Sequence, residues 1–176
     1  MSIFVLNESF SKMKQILIIR HAKSSWAEVG QRDFDRPLNE RGLRDAPEMA
    51  RRIMQRNIKI DLFISSAANR ALTTAKLMMQ EMKMGEAELI VKTELYHAPP
   101  SVILSSIQQL EENYHAIAVV CHNPGITLFA NMIEGLSIDN VPTCGVLMLK
   151  TAVKEWKQVL IENLRFDFID YPKSII

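Results

Sequence analysis

The feature that most constrains this chain is a short apolar run at residues 16–19, which ends abruptly at Arg20 and His21. An unbroken run of isoleucine and leucine is typical of a strand buried on both faces, as in a parallel sheet. Ligands of open α/β sheets bind at the carboxyl ends of such strands, so an arginine and a histidine there form a candidate site. The same two residues would also suit a solvent-exposed turn at the end of a strand, with no functional role. Other segments must decide between these interpretations.

The composition is that of an ordinary globular protein, since 48% of the 176 residues are hydrophobic and 23% are charged. This length suits one domain with its own core. A net charge of +1 gives no broad attraction to nucleic acid or to a membrane surface, so any anion must be bound locally. The two cysteines, Cys121 and Cys144, are too few for a disulfide framework and lack metal-site spacing. They favour a cytoplasmic protein.

The N-terminal residues are expected to differ from the rest of the chain. We expect residues 1–12 to be a loosely held extension outside the catalytic machinery, and residues 13–176 to form a single domain. The apolar stretch at 3–6 is too short for a secretory signal. No stretch approaches the roughly 18 consecutive apolar residues of a membrane span.

Predicted strands and helices alternate along most of the chain, which favours an α/β fold with a mixed sheet. Strands are expected at 16–19, 61–66, 89–91, 117–121, 146–149 and 158–161. Helices are expected to begin at or just after four polar residues: Asn39, Asn69, Ser101 and Asn123. Pro47 should kink the first helix or mark a later start. Pro124 should take the first position of the last helix, and Gly135 its C-cap.

Basic side chains follow three of the predicted strands: Arg20-His21 the first, Arg70 the second and His122 the fourth. If these strands are parallel, all three junctions share one edge of the sheet. The guanidinium groups of two arginines can donate hydrogen bonds to phosphoryl oxygens. The first turn of the helix after Asn123 would add backbone N–H groups that have no partner within the helix. An imidazole in such a pocket is either a phosphate ligand or, with one nitrogen unprotonated, the nucleophile. The pattern predicts an anion pocket suited to phosphoryl transfer.

Three motifs occur in order at these junctions: Arg20-His21-Ala22; Ser65-Ser66 followed by Arg70-Ala71 and Thr74-Ala75; and Cys121-His122-Asn123-Pro124-Gly125. Together they resemble the signatures of the histidine phosphatase superfamily. Two further runs are similar to its SixA-type phosphohistidine phosphatase branch: Lys23-Ser24-Ser25-Trp26 and Arg36-Pro37-Leu38-Asn39-Glu40-Arg41-Gly42. The likeness covers roughly residues 14–162. It implies a phosphoglycerate mutase-like fold, a three-layer αβα arrangement with a mostly parallel central sheet and no large insertion domain.

The resemblance also implies a role for each matched residue. His21 would be the nucleophile that forms a phosphohistidine intermediate, and Arg20 and Arg70 would hold the phosphoryl oxygens. His122 would donate a hydrogen bond to the same group, with Asn123 also binding substrate. Neither a metal nor a cofactor is implied.

The proton donor is where the chain departs from the family pattern. A carboxylate is usual in the loop after the third strand, whereas this chain has His97 at the matching place. His97 could act as an imidazolium, or one of three carboxylates could replace it: Asp33, Asp35 or Glu94. A donor could also be unnecessary, because a phosphoramidate nitrogen leaves more readily than an alkoxide. The departure therefore favours a phosphohistidine substrate.

The expected function is a metal-independent phosphatase that hydrolyses protein phosphohistidine through a covalent intermediate. Brief connections after the third and fourth strands favour an open cleft that admits a phosphorylated protein. One alternative is a small-molecule phosphomonoesterase or mutase-like enzyme of the same fold, acting on a small phosphoester. A further alternative is a non-catalytic phosphate-binding module.

Overall fold

The computed structural model describes residues 13–27 and 30–174, so the predicted extension at 1–12 lies outside the described residues. Within them the chain forms six strands: β1 (Lys14–Arg20), β2 (Leu62–Ser66), β3 (Leu89–Lys92), β4 (Ala116–Cys121), β5 (Val146–Thr151) and β6 (Arg165–Asp170). It also forms four α-helices: α1 (Glu40–Gln55), α2 (Asn69–Glu81), α3 (Pro100–Gln108) and α4 (Gly125–Asn131). None of these helices is long and apolar enough to cross a membrane.

The strands form one sheet in the order β3-β2-β4-β1-β5-β6. The pairs β2–β3, β2–β4 and β1–β4 are parallel, while β5 runs antiparallel to both of its neighbours. The prediction of a mostly parallel sheet is therefore confirmed. Because β1 and β4 lie at its centre, the residues that follow them meet at the middle of one sheet edge.

Alternate residues of β1 enter different cores, which makes the fold three-layered. Ile16 and Ile18 belong to the core shared with α3 and α4, whereas Leu17 and Ile19 belong to the core beneath α1 and α2. All four are fully buried. This two-sided burial explains why β1 lacks polar alternation. Among the described residues the connections contain only short 3₁₀ turns and loops, so the predicted absence of a large insertion is confirmed there.

The predicted strand at 158–161 is wrong, because that segment lies between two 3₁₀ turns, Trp156–Gln158 and Ile161–Asn163. The Asn163 side chain accepts a hydrogen bond from the backbone N–H of Leu160 at 3.0 Å. Such local side-chain bonds compete with pairing into a sheet. The last strand is β6 instead, which sequence analysis missed because charged residues interrupt its apolar ones.

Helix starts were predicted with mixed success. Asn39 caps α1 as expected, accepting from the Gly42 N–H at 3.0 Å, and α1 continues through Pro47, so a later start there is wrong. The predicted Ser101 cap is also wrong, since α3 begins one residue earlier with Pro100 at its first position. A proline is favoured there because its missing N–H would have had no partner in the helix.

The prediction for the last helix fails at both ends. Asn123 is not its N-cap and Pro124 is not its first residue, because α4 begins at Gly125 with Pro124 as the flanking residue. The helix ends at Asn131, and Gly135 lies in the turn beyond it with φ of +81°. The Asn123 side chain bonds to Val141 and Thr127 instead of capping the helix.

Gly125 allows α4 to approach the loop that contains His97. A Cβ atom at this position would lie 2.0 Å from the carbonyl oxygen of Ala98, far inside any real contact. The absence of a side chain therefore fixes the spacing between the segment after His122 and the segment after His97.

We expect Gly125→Ala to lower the free energy of unfolding by about 1–3 kcal/mol, the usual cost of overpacking a rigid contact. Gly85→Ala is the matched control, because its Cβ would meet only the flexible Glu88 carboxylate, at 3.2 Å. Urea denaturation of the two variants measures the difference. Equal stability of the two variants would contradict the proposed contact.

Candidate active site

The two histidines of the predicted pocket are neighbours because of strand register. Parallel pairing places Arg20 of β1 opposite Cys121 of β4, so His21 and His122 follow at the same edge. Their ring centroids are 5.0 Å apart, with the planes inclined at 54°. Both side chains are buried.

His21 is oriented by one short hydrogen bond. Its Nδ1 lies 2.7 Å from the carbonyl oxygen of Ala22, and because a carbonyl can only accept, Nδ1 carries the proton. Ala22 is itself held by α2, since its N–H donates to Thr74 Oγ1 at 3.0 Å. The neutral imidazole therefore presents Nε2 as its acceptor nitrogen.

The electrostatic surroundings favour the neutral form of His21. Burial is the main cause that lowers its pKa from 6.5 to about 3, and the positive charges of Arg70, Arg20 and Arg36 act in the same direction. The hydrogen bond to Ala22 opposes this shift only in part. Nε2 is thus unprotonated at neutral pH and well below it.

Arg70 lies in the first turn of α2 and is almost fully buried. Its Nε donates to His21 Nε2 at 3.2 Å, and its Nη2 donates to Asp33 Oδ2 at 2.8 Å. Its Nη1 donates to the Asp33 carbonyl oxygen. This arginine thus joins the histidine to the 3₁₀ turn Asp33–Asp35.

Arg20 and Asn123 share a pair of acceptors, Val141 and Asn140. Arg20 Nη1 donates to the Val141 carbonyl at 2.7 Å, and Asn123 Nδ2 donates to the same oxygen at 3.2 Å. Both also reach Asn140 Oδ1. The buried Nε of Arg20 has no hydrogen-bond partner among the described residues. An oxyanion would supply the missing acceptor.

His122 is fixed by the end of β2, because its Nε2 lies 2.8 Å from Ser66 Oγ. Burial is the main cause that lowers its pKa to about 2, and the neighbouring His21 and Arg70 add to the effect. Its buried Nδ1 has no partner among the described residues. The ring is therefore neutral, with one nitrogen free to bond a ligand.

The candidate proton donor His97 sits at the pocket rim with its side chain half exposed. Its ring centroid lies 5.6 Å from that of His122, and its Nε2 lies 3.3 Å from Asp33 Oδ2. The backbone of His97 has φ of +51°, a left-handed conformation that is unusual outside glycine and concentrates at functional sites.

Asp33 is the only one of the three alternative carboxylates for which the described structure shows contacts with the pocket residues. Asp35 pairs with Arg32 at 2.7 Å, and Glu94 pairs with Lys92 at 3.7 Å. Although burial alone would raise the pKa of Asp33, hydrogen bonds from Tyr96, Arg36 and Arg70 outweigh it and lower that pKa well below its usual range. Asp33 is therefore ionised.

Two residues of this site were missed by sequence analysis. Arg36 is buried and bonds Asp33 Oδ1 at 2.8 Å and Ser24 Oγ at 2.6 Å. Tyr96 donates its hydroxyl to Asp33 Oδ2 at 2.7 Å. The sequence indicates a carboxylate of this charged run as a site candidate, but it gives no sign that Arg36 is buried beside it.

Neither the two cysteines nor a metal site adds further chemistry in the described part of the chain. Cys121 is a packed thiol, since burial raises its pKa to about 12, and burial likewise raises the pKa of Cys144. No group of three or more His, Cys, Asp or Glu side chains within residues 13–27 and 30–174 is arranged to hold a metal ion. His115 lies on the surface.

Comparison with known proteins points to one family. The profile of the histidine phosphatase superfamily (branch 1) matches residues 16–96. An uncharacterised chloroplastic protein of Arabidopsis thaliana is 28% identical over 163 residues, which cover 88% of this chain and 74% of that protein.

Solved structures agree in fold. A proposed SixA phosphohistidine phosphatase of Agrobacterium tumefaciens is 26% identical, with a TM-score of 0.75 over 90% of this chain and 98% of the other. The protein histidine phosphatase SixA complexed with tungstate is 20% identical, with a TM-score of 0.75 over 90% of this chain and 97% of the other. The predicted phosphoglycerate mutase-like fold is confirmed by these similarities.

The two neutral histidines predict an acid-dependent loss of stability. Their native pKa values of about 3 and about 2 lie below the ordinary 6.5, so the unfolded chain binds more protons as the pH falls below that value. Each histidine then makes stability fall by up to about 1.4 kcal/mol per pH unit. We expect His122→Asn to show a shallower decline than the wild type in urea titrations between about pH 7 and pH 4.5.

The exposed His115→Asn is the control for this experiment, because it removes a histidine from the surface. We expect its pH dependence to follow that of the wild type. If the His122→Asn variant shows the same slope as the wild type, the neutral buried state of His122 is refuted.

Proposed function

The chain belongs to the histidine phosphatase superfamily, and from that premise we propose that it is a metal-independent phosphatase acting on protein phosphohistidine through a covalent intermediate on His21. The observation that carries the proposal is the 2.7 Å bond from His21 Nδ1 to the Ala22 carbonyl, which leaves Nε2 unprotonated. A nucleophilic imidazole needs this tautomer.

In the first step, His21 Nε2 attacks phosphorus while the bond from phosphorus to the leaving nitrogen breaks. The new phosphohistidine carries a positive charge on its ring, which the Ala22 carbonyl stabilises through Nδ1–H. In the second step, water attacks the same phosphorus, releases inorganic phosphate and restores His21. Arg20, Arg70 and His122 would hold the phosphoryl oxygens through both steps.

We assign the proton for the leaving group to His97. Asp33 lies 3.3 Å from its Nε2 and can orient the ring at the pocket rim. The left-handed backbone of His97 is the strain expected where a side chain is held for function. Asp33 itself is a poor donor because it is ionised.

The oxyanion site and its setting complete the proposal. A SixA structure that resembles this chain is complexed with tungstate, an oxyanion of phosphate-like shape, and we infer that this pocket accepts a phosphoryl group in the same way. We propose that the partner is a phosphorylated protein, that residues 13–176 act as one domain, and that the protein works in the cytoplasm. The two buried free cysteines suit a reducing compartment.

We expect His21→Asn to abolish both turnover and covalent labelling. After rapid quench with a radiolabelled phosphohistidine protein, the wild type should carry an acid-labile, base-stable label and the variant none. The exposed His115→Asn should label like the wild type. Turnover that persists in His21→Asn would remove the nucleophile assignment, and faster hydrolysis of sugar phosphates than of phosphohistidine would favour the small-molecule alternative.

We expect His97→Asn to separate substrates by their leaving groups. A general acid contributes roughly 10²–10⁴-fold, so kcat for an alkyl phosphate should fall by at least about 100-fold. The phosphohistidine reaction should fall by less than about tenfold, because its nitrogen leaves more readily. Glu94→Gln is the control from the same loop. Equal effects of His97→Asn on both substrates would exclude a proton-donor role.

A further inference from the structure

All three nitrogens of Arg70 have acceptors within the protein. Nε donates to His21 Nε2 at 3.2 Å, Nη2 to Asp33 Oδ2 at 2.8 Å and Nη1 to the Asp33 carbonyl oxygen. The guanidinium fork that would hold a phosphoryl group therefore holds an aspartate. A carboxylate and a phosphoryl group offer this fork the same chemistry, namely two or more anionic oxygens.

Asp33 is well placed to leave Arg70 without losing all of its partners. Its Oδ1 accepts from Arg36 at 2.8 Å, and its Oδ2 accepts from the Tyr96 hydroxyl at 2.7 Å. Its Oδ2 also lies 3.3 Å from His97 Nε2. Since its side chain is about one third exposed, water can also reach a displaced carboxylate.

We propose that Asp33 is a substrate-displaceable latch, closed on Arg70 in the free enzyme and released when a phosphoryl group takes its place. This inference rests on the proposed function, because it assumes that Arg70 binds the phosphoryl oxygens. Two anions cannot share the buried fork without mutual repulsion. The carboxylate therefore competes with every ligand and weakens its binding.

The latch also masks the nucleophile. Arg70 Nε donates to the lone pair of His21 Nε2, the pair that must form the bond to phosphorus. When Arg70 turns from Asp33 to the phosphoryl oxygens, that hydrogen bond loosens and the lone pair is freed. Only a ligand anionic enough to compete with a carboxylate unmasks the histidine, which makes Asp33 a specificity-determining residue for phosphoryl groups.

The test is the affinity for inorganic phosphate, measured by calorimetry so that no turnover is needed. We expect Asp33→Asn to bind phosphate at least about fivefold more tightly than the wild type, because a neutral amide competes less well for Arg70. Asp35→Asn is the matched control, since it removes the same charge from the same turn but pairs with the exposed Arg32. Its affinity should stay within about twofold of the wild type.

Each outcome bears on the latch. Unchanged or weaker phosphate binding by folded Asp33→Asn overturns it, while the proposed function survives if the wild type binds phosphate. A wild type that binds neither phosphate nor tungstate overturns both. Should Asp33→Asn not fold, a wild-type structure with tungstate bound decides: Asp33 Oδ2 withdrawn from Arg70 Nη2 supports the latch, and a retained hydrogen bond overturns it.

Discussion

The parallel pairing of β1 with β4 is the constraint on which the site depends. With Arg20 opposite Cys121, the residues after each strand emerge side by side at one sheet edge. The ring centroids of His21 and His122 are 5.0 Å apart because of this register, and no nearby loop has to bring them together. A slip of one residue would turn the neighbouring side chains of β1 to the opposite layers, exchanging its two cores.

The electrostatics of the pocket follow from burial. Two imidazoles beside three arginines are held neutral, with burial the main cause and the arginines adding to the effect at His21. The cationic groups favour an anion in the same space, and the Asp33 carboxylate lies there, paired with Arg36 and Arg70. The positive field of the arginines, which adds to the effect of burial at His21, would also draw in the phosphoryl group. The same arginines thus favour both an unprotonated nucleophile and the binding of an anion.

The position of a site residue is predictable from the sequence where it follows directly from a strand. The apolar runs predicted the central strands, and the carboxyl-end rule placed His21, Arg70 and His122 at one edge. A residue's position is not predictable where it depends on the long-range folding of a polar segment. The charged run around Arg36 gave no periodic signal, yet Arg36 is buried beside the site. The errors at 158–161 and at the start of α4 have the same kind of cause, because side-chain hydrogen bonds of Asn163 and Asn123 take the place of the expected strand and cap.

The central claim is that the bond from His21 Nδ1 to the Ala22 carbonyl determines which nitrogen reacts. Phosphorus and nitrogen NMR of the trapped phosphoenzyme, with ¹⁵N-labelled histidine, tests it most directly. The account predicts a single phosphohistidine on His21, with phosphorus coupled to Nε2 and a proton retained on Nδ1. Phosphorus coupled to Nδ1, or a phosphoenzyme formed on a different residue, would contradict it.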